Sequence, residues 1–298
     1  MERLSVSIPY AVRHMLMSTF FFALMNVCIK QVGHIPEMEI VFVRCFVSML
    51  LCFAVLWREG VDWKGSNRKL LLARGFFGSM ALYTFFITLH EMPLGTAVTI
   101  QYISPVFTTI IAVFFLKEKV KPLQWLFFLL SFAGVLVIKG FDNRIALTTL
   151  LIGLASALFS GFAYNMVRRL KEKEHYMVVV LHFQLLGAVA GGIACLFTWQ
   201  TPSGRDWFYL IAIGVLTQLG QVNLTKALQG DKVANVSILN YLGVLYALLF
   251  GALLFGEHYT LLTFGGIALV LAGVLLNYFY TARHAKVVAE EELTTVEE

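Results

Sequence analysis

Long apolar runs, each near twenty residues and separated by short polar connections, follow one another along the chain. They lie near 10–30, 38–57, 70–90, 95–116, 122–139, 146–167, 177–199, 206–228, 232–255 and 260–281. Most match the ~20 residues that an α-helix needs to cross ~30 Å of hydrocarbon. Barrel strands would instead alternate polar and apolar residues over about 10 positions. In lipid the backbone must also satisfy its own polar groups, which a helix does alone. The pattern predicts an all-α membrane protein with ten transmembrane helices.

The runs fall into two halves that align without a gap at one offset of 139 residues. Asn26 matches Asn165, Gly75 matches Gly214, Tyr102 matches Tyr241 and Glu118 matches Glu257, while Ala-Gly-Val-Leu at 133–136 recurs at 272–275. Each half holds five runs, an odd number, so a second copy enters the bilayer from the opposite side. The expected domains are two inverted five-helix repeats, 10–139 and 146–281, followed by an acidic tail, 282–298. Inverted repeats of this kind are a common transporter design, because one packing solution then serves two alternating openings.

Charge sets the orientation. With the N-terminus in the cytoplasm, 18 of the 23 Lys and Arg lie inside: Arg3, Arg13, the 58–74 group, Lys117, Lys119, Lys121, the 168–173 group, Lys226, Lys232, Arg283 and Lys286. Lys30, Lys139, Arg144 and Arg205 lie outside, so both termini are predicted to be cytoplasmic. The same turn carries Lys117, Lys119 and Lys121 in the first half and Gly256, His258 and Thr260 in the second, where it should face outward. The net charge of +5 thus reflects topology, and nothing supports a nucleic-acid partner. Only 14% of residues are charged and 59% are hydrophobic, against roughly 25% charged in a soluble domain. All five Trp fall at run ends or in loops, as expected at membrane interfaces. Cys28, Cys45, Cys52 and Cys195 have neither disulfide nor metal spacing. The first run lacks a small-residue cleavage site and predicts an uncleaved helix.

The stretch from Arg74 to Gly134 carries Arg-Gly-x-x-Gly, Met-Pro-Leu-Gly-Thr-Ala, Ser-Pro-Val-Phe, Lys-Glu-Lys and a final Gly-Val. In these motifs the chain resembles the EamA family of the drug/metabolite transporter superfamily, over both halves from about 11 to 280. The resemblance implies a ten-helix carrier of small organic solutes, its cavity lined by the third, fourth, eighth and ninth helices. It also implies a prokaryotic inner-membrane location and leaves the substrate open. One departure is that Pro105 has Val244 as its counterpart, which makes any hinge asymmetric.

Candidate site residues are polar groups at membrane depth, where an unsatisfied amide or hydroxyl costs several kcal/mol. Pro105 frees the carbonyl of Gln101, beside Tyr102, and the repeat places Asn240 and Tyr241 at matching depth. Gln218, Gln221 and Thr225 share one face of the eighth helix beside Thr217, and Tyr83 and Thr84 lie mid-way along the third. Tyr83, Gln101, Tyr102, Gln218, Gln221, Asn240 and Tyr241 are the expected substrate-binding set, with hydrogen bonding between helices as the competing reading. Arg44 is the intramembrane charge, read either as a site for a substrate anion or as a structural or gating group paired with carbonyls or Glu39. The resemblance implies that an Arg early in the second helix is common, which favours the structural or gating role. Asn26, Asn165 and His182 join Arg44 as gating or ion-related candidates, His182 being the one titratable group in a span near neutral pH. Glu118 and Glu257 are expected to cap the helices that follow them.

All 18 acidic residues lie at helix ends, loops or termini. No HExxH, paired intramembrane carboxylates or GxxxxGK[ST] loop occurs, so neither an enzyme nor an ATP-driven pump is expected, and no cofactor. The predicted function is a secondary transporter for a small polar or amphipathic metabolite such as an amino acid. The alternatives are a lipid flippase and a non-transporting receptor or scaffold. Expected partners are a small solute and membrane lipids. Gly187 and Gly191 form a GxxxG that fits packing within one bundle better than dimerisation, and it leaves the oligomeric state open.

Overall fold

The computed structural model describes residues 10–116, 121–141, 145–170, 173–230 and 238–297. Among these the secondary structure is helical: α1 (Tyr10–Gln31), α2 (Glu37–Glu59), α3 (Arg68–Glu91), α4 (Leu94–Gln101), α5 (Ser104–Leu116), α6 (Pro122–Phe141), α7 (Leu147–Leu170), α8 (Tyr176–Thr198), α9 (Gly204–Gly230), a 3₁₀ turn (Ile238–Tyr241), α10 (Leu242–Phe255) and α11 (Leu261–Glu297). Eight segments are long and apolar enough to cross a membrane, with Leu94–Phe114 taken as one, and Pro122–Ile138 and Leu242–Phe255 are shorter apolar helices. Lys117, Glu118, Lys119, Arg144 and Lys232 lie outside the described residues, as do the side chains of Thr225 and Asn240.

Local chemistry sets the helix ends. Pro36 and Pro93, with ψ of 136° and 139°, hold the chain extended before α2 and α4. Asn67 caps α3 by accepting from the Leu70 N–H at 3.3 Å. Gly60 and Gly256 end α2 and α10 at φ of 67° and 60°, a conformation that costs a side-chain-bearing residue energy. Burial pushes the Glu174 carboxyl up, but hydrogen bonds from Asn67 N–H and from Ser66 Oγ and N–H together outweigh it and hold it below the usual carboxylate range.

The packing follows the repeat. With the offset of 139, α1, α2, α3 and α6 correspond to α7, α8, α9 and α11. The dominant pairs are α1 with α9 and its counterpart α3 with α7, then α2 with α8 and α6 with α11, each its own counterpart. Every such pair joins one half to the other, so neither repeat holds together as a separate bundle. Helices α2 and α8 run antiparallel, as Ser48 meets Gln184 and Met38 lies against Gly191. In α6 and α11 likewise Gln124 meets Asn277 and Ile138 meets Gly266. Equivalent helices that face each other in opposite directions are what inverted repeats produce. A Cβ on Gly187 would lie 2.5 Å from Cys45 Sγ, and one on Gly191 would lie 2.8 Å from Phe42 N. The GxxxG pair therefore serves the α2–α8 contact inside the chain.

Two elements differ from the hydropathy reading. The expected span 95–116 is broken at Tyr102–Ile103 into α4 and α5, and the equivalent position in the second half is where a 3₁₀ turn passes into α10. The acidic tail does not separate from the last span, since α11 continues to Glu297.

Candidate functional site

The break in the first half meets the 3₁₀ turn of the second. Tyr102 ends α4, Tyr241 ends the 3₁₀ turn, and their rings lie 5.3 Å apart between centroids. The Tyr102 hydroxyl lies over the Cα of Gly243, where a Cβ would collide with it. Ile103 N–H still donates to Ile100 O at 3.1 Å, and Val106 N–H to Ile103 O at 2.9 Å, so tight turns bridge the break. Pro105 stands in the first turn of α5, where its missing N–H has no intrahelical partner to lose.

A second contact lies on the same two-fold relation. Arg44 and Phe183 occupy equivalent positions, and the Arg44 guanidinium sits 5.6 Å from the Phe183 ring centre. Arg44 Nε donates to Thr217 Oγ1 at 2.9 Å. The counterpart of that contact is Phe183 against Gly78, where a Cβ would meet the ring at 2.8 Å. Arg44 is buried, with Phe86 as a further ring at 5.9 Å. Glu39 is not its partner: the Glu39 carboxylate accepts from Gln200 N–H at 3.0 Å at the far end of α8.

Arg74 completes the cluster. It is one of the charges expected on the cytoplasmic side, yet it is buried at the α3–α8 contact, its guanidinium 4.5 Å from the Phe183 ring centre, with no hydrogen-bond partner for Nε or Nη1. Arg44 and Tyr164 lie within its electrostatic reach. Tyr164, on α7, is also within reach of Tyr102 and keeps 42% of its surface exposed.

Other expected residues are distributed around this centre. Gln101 is committed to α7: Nε2 donates to Ser160 Oγ and Oε1 accepts from Ser156 Oγ, both at 2.8 Å. Gln218 is buried in a chain of its own, accepting from Ser48 Oγ at 2.6 Å and from Cys52 Sγ at 3.4 Å, with Gln184 donating to Ser48 at 2.8 Å. Tyr83 and Gln221 are half-buried on α3 and α9. Thr84 Oγ1 donates to Met80 O at 2.7 Å. Asn165 donates to Thr108 O and Gly161 O, both at 2.9 Å, tying α7 to α5. Asn26 Oδ1 is buried without a partner. His182 Nδ1 lies 2.9 Å from the carbonyl of Val178 on its own helix.

One end of the bundle is closed by a network that the sequence reading placed elsewhere. Glu257, expected to cap the helix after it, instead accepts from the Leu94 N–H at 2.9 and 2.8 Å and caps α4. Lys30, at the end of α1, pairs with Glu257 and donates to Met92 O at 2.9 Å. The Tyr259 hydroxyl donates to Glu257 and accepts from Gly95 N–H at 3.1 Å. Side-chain exposures of 17% for Lys30 and 8% for Glu257 make this a mostly dry ion pair. It fastens α1 and α4 of the first half to the end of α10 of the second.

The sequence profile of the EamA-like transporter family matches residues 10–140 and 147–279, one copy for each repeat. The pseudopaline exporter of Pseudomonas aeruginosa is 30% identical over 88% of this chain and 93% of its own. The human solute carrier family 35 member G1 is 30% identical over 86% of this chain and 75% of its own. An uncharacterised transporter of Helicobacter pylori is 26% identical over 91% of this chain and 95% of its own. One crystal structure superposes with a TM-score of 0.66 over 93% of this chain and 98% of the other, and at 16% identity that likeness shows the fold.

Proposed function

The chain belongs to the EamA-like transporter family, an integral, multi-pass membrane protein, and from that premise we propose that it is a secondary carrier for a small polar or amphipathic metabolite. Its ten helices work as two inverted repeats, with both termini on the cytoplasmic side of a prokaryotic inner membrane. The observation that carries this reading is the pairing of the first-half helix break with the 3₁₀ turn of the second half, Tyr102 against Tyr241 at 5.3 Å, beside a network of Lys30 and Glu257 that fastens the two halves. Broken helices at the repeat interface are where inverted-repeat carriers bind solute, because irregular backbone is tolerated in a membrane only where protein or a cavity surrounds it. In the proposed orientation the Lys30–Glu257 end faces outside, and its network of contacts closes that side. Opening it requires α1 and α4 to part from the end of α10.

Purified protein in sealed liposomes, offered a mixed metabolite extract, tests the reading by mass spectrometry of the lumen. A small set of solutes enriched over empty liposomes is the expected result. No enrichment, with or without a pH gradient or internal counter-substrate, would overturn carriage of a soluble metabolite; headgroup movement in the same vesicles would then identify a flippase.

A further inference from the structure

We propose that Arg74, with Arg44 against the same Phe183 ring, is an anion subsite, and that the carried solute is a small organic acid presenting a carboxylate to it. This rests on the carrier reading above and adds the substrate's charge.

The argument begins with an unbalanced charge. Arg74 and Arg44 are 8% and 2% exposed and lie within electrostatic reach of each other. Among the described residues no carboxylate contacts either one. Glu39, on Arg44's own helix, is turned to the backbone of Gln200. Guanidinium stays protonated in proteins, so neutralisation is not a way out. Taking such an ion out of water costs several kcal/mol, and stacking on Phe183 returns only part of that cost. Nε and Nη1 of Arg74 have no acceptor at all. Buried cations are ordinarily paired, and the counter-charge missing from the chain is one that a ligand can bring.

Repeat symmetry separates function from packing here. The position equivalent to Arg74 is Ile213, fully buried in α9, and the one equivalent to Arg44 is Phe183, also buried. The same fold therefore fills both positions with apolar side chains in its other half, and the architecture does not require a cation at either. The arginines break the symmetry in one half only. Gly78 makes room for this: a Cβ there would collide with Arg74 Nη1 and press on Phe183. The Phe183 ring centre lies 4.5 Å from the Arg74 guanidinium and 5.6 Å from that of Arg44, so a carboxylate held there would meet an aromatic wall suited to an apolar body.

The test compares wild type, Arg74→Gln and Arg74→Lys in phosphatidylcholine liposomes, which contain no anionic headgroup, using uptake from the mixed metabolite extract. Wild type should enrich carboxylates, and Arg74→Gln should lower their apparent affinity about 10- to 100-fold, the range of a lost charged hydrogen bond. Arg74→Lys keeps the charge and loses the planar fork, so if Arg74→Gln fails to fold, an intermediate loss in a stable Arg74→Lys protein carries the test. Enrichment of only neutral or cationic solutes overturns the anion subsite and leaves carriage standing. If nothing is enriched, carriage falls, and thermal stabilisation of the wild type by the acidic fraction of the extract, lost in both variants, still supports the subsite. Absence of that stabilisation overturns it. Stabilisation by phosphatidylglycerol alone, lost on Arg74→Gln, would show that the anion is a lipid headgroup and overturn the solute.

Discussion

Arg74 shows what a single residue can hide. It follows a basic connection and stands six positions into α3, or ~9 Å at 1.5 Å per residue, so charge counting assigned it to the cytoplasm. The sign of its burial was present in the register: its counterpart Ile213 lies inside an apolar run. Arg44 was legible because an arginine far from any loop must find a partner in the membrane. Its actual neighbours, Thr217 and the Phe183 face, come from helices more than a hundred residues away, and no local pattern names them. Tyr164 was invisible for a similar reason, since one tyrosine in an apolar run gives no sign of which side it faces. Gly78 provides a test of how tightly this cluster is set. Gly78→Ala adds a Cβ that meets Arg74 Nη1 and lies 2.8 Å from the Phe183 ring, and both of those side chains are themselves confined. Overpacking of this order costs about 1–3 kcal/mol. Thermal unfolding in detergent should show that loss together with impaired uptake; an unchanged melting temperature would mean the guanidinium has room that its contacts do not suggest.

At the scale of elements, the all-helical character and most helix ends were readable, because length, prolines and glycines act locally. The break at Tyr102–Ile103 was not, since hydropathy is continuous through 95–116 and registers burial without backbone geometry. Proline gave a partial hint. Pro105 stands in the first turn of α5, after the break, and at the equivalent place in the second half a 3₁₀ turn passes into α10, with Val244 as the counterpart of Pro105. Tertiary packing also holds the break: Tyr102 over Gly243 and Gln101 between Ser156 and Ser160. Pro105→Ala should therefore leave the break in place and shift stability by no more than ~1 kcal/mol, mainly through the freer unfolded chain. Calorimetric unfolding and uptake assays should both stay near wild type. Loss of transport in a stably folded Pro105→Ala protein would return the hinge to the proline ring.

At the scale of the whole molecule, the repeat register predicts a second gate. The closed end is held by Lys30 and Glu257, and an offset of 139 carries these positions to Arg169 and Glu118. Both counterparts keep their charge although much of the surrounding sequence has diverged between the halves. Because the repeats are inverted, the counterpart pair belongs to the opposite membrane face. On the proposed alternating-access reading this predicts an exchange, in which Lys30 with Glu257 would close the outside in one state and Arg169 with Glu118 the inside in the other. The exchange also limits how strong either pair can be. Removing one partner from a buried pair costs roughly 3–5 kcal/mol, enough to shift a two-state equilibrium from 99:1 to near balance or beyond, since reversing that ratio takes ≈ 5.5 kcal/mol. Glu257→Gln should thus make the outer end accessible and Glu118→Gln the inner end, each slowing transport by holding open the end it unlocks. Double-cysteine variants at 30 and 257 and at 169 and 118, treated with a short bifunctional thiol reagent, give the direct readout. Cross-linking at one pair should prevent cross-linking of the other, and either cross-link should stop uptake. Simultaneous cross-linking of both pairs in one molecule that still transports would show that the two ends do not alternate, and the symmetry would then describe how the chain packs without describing how it moves.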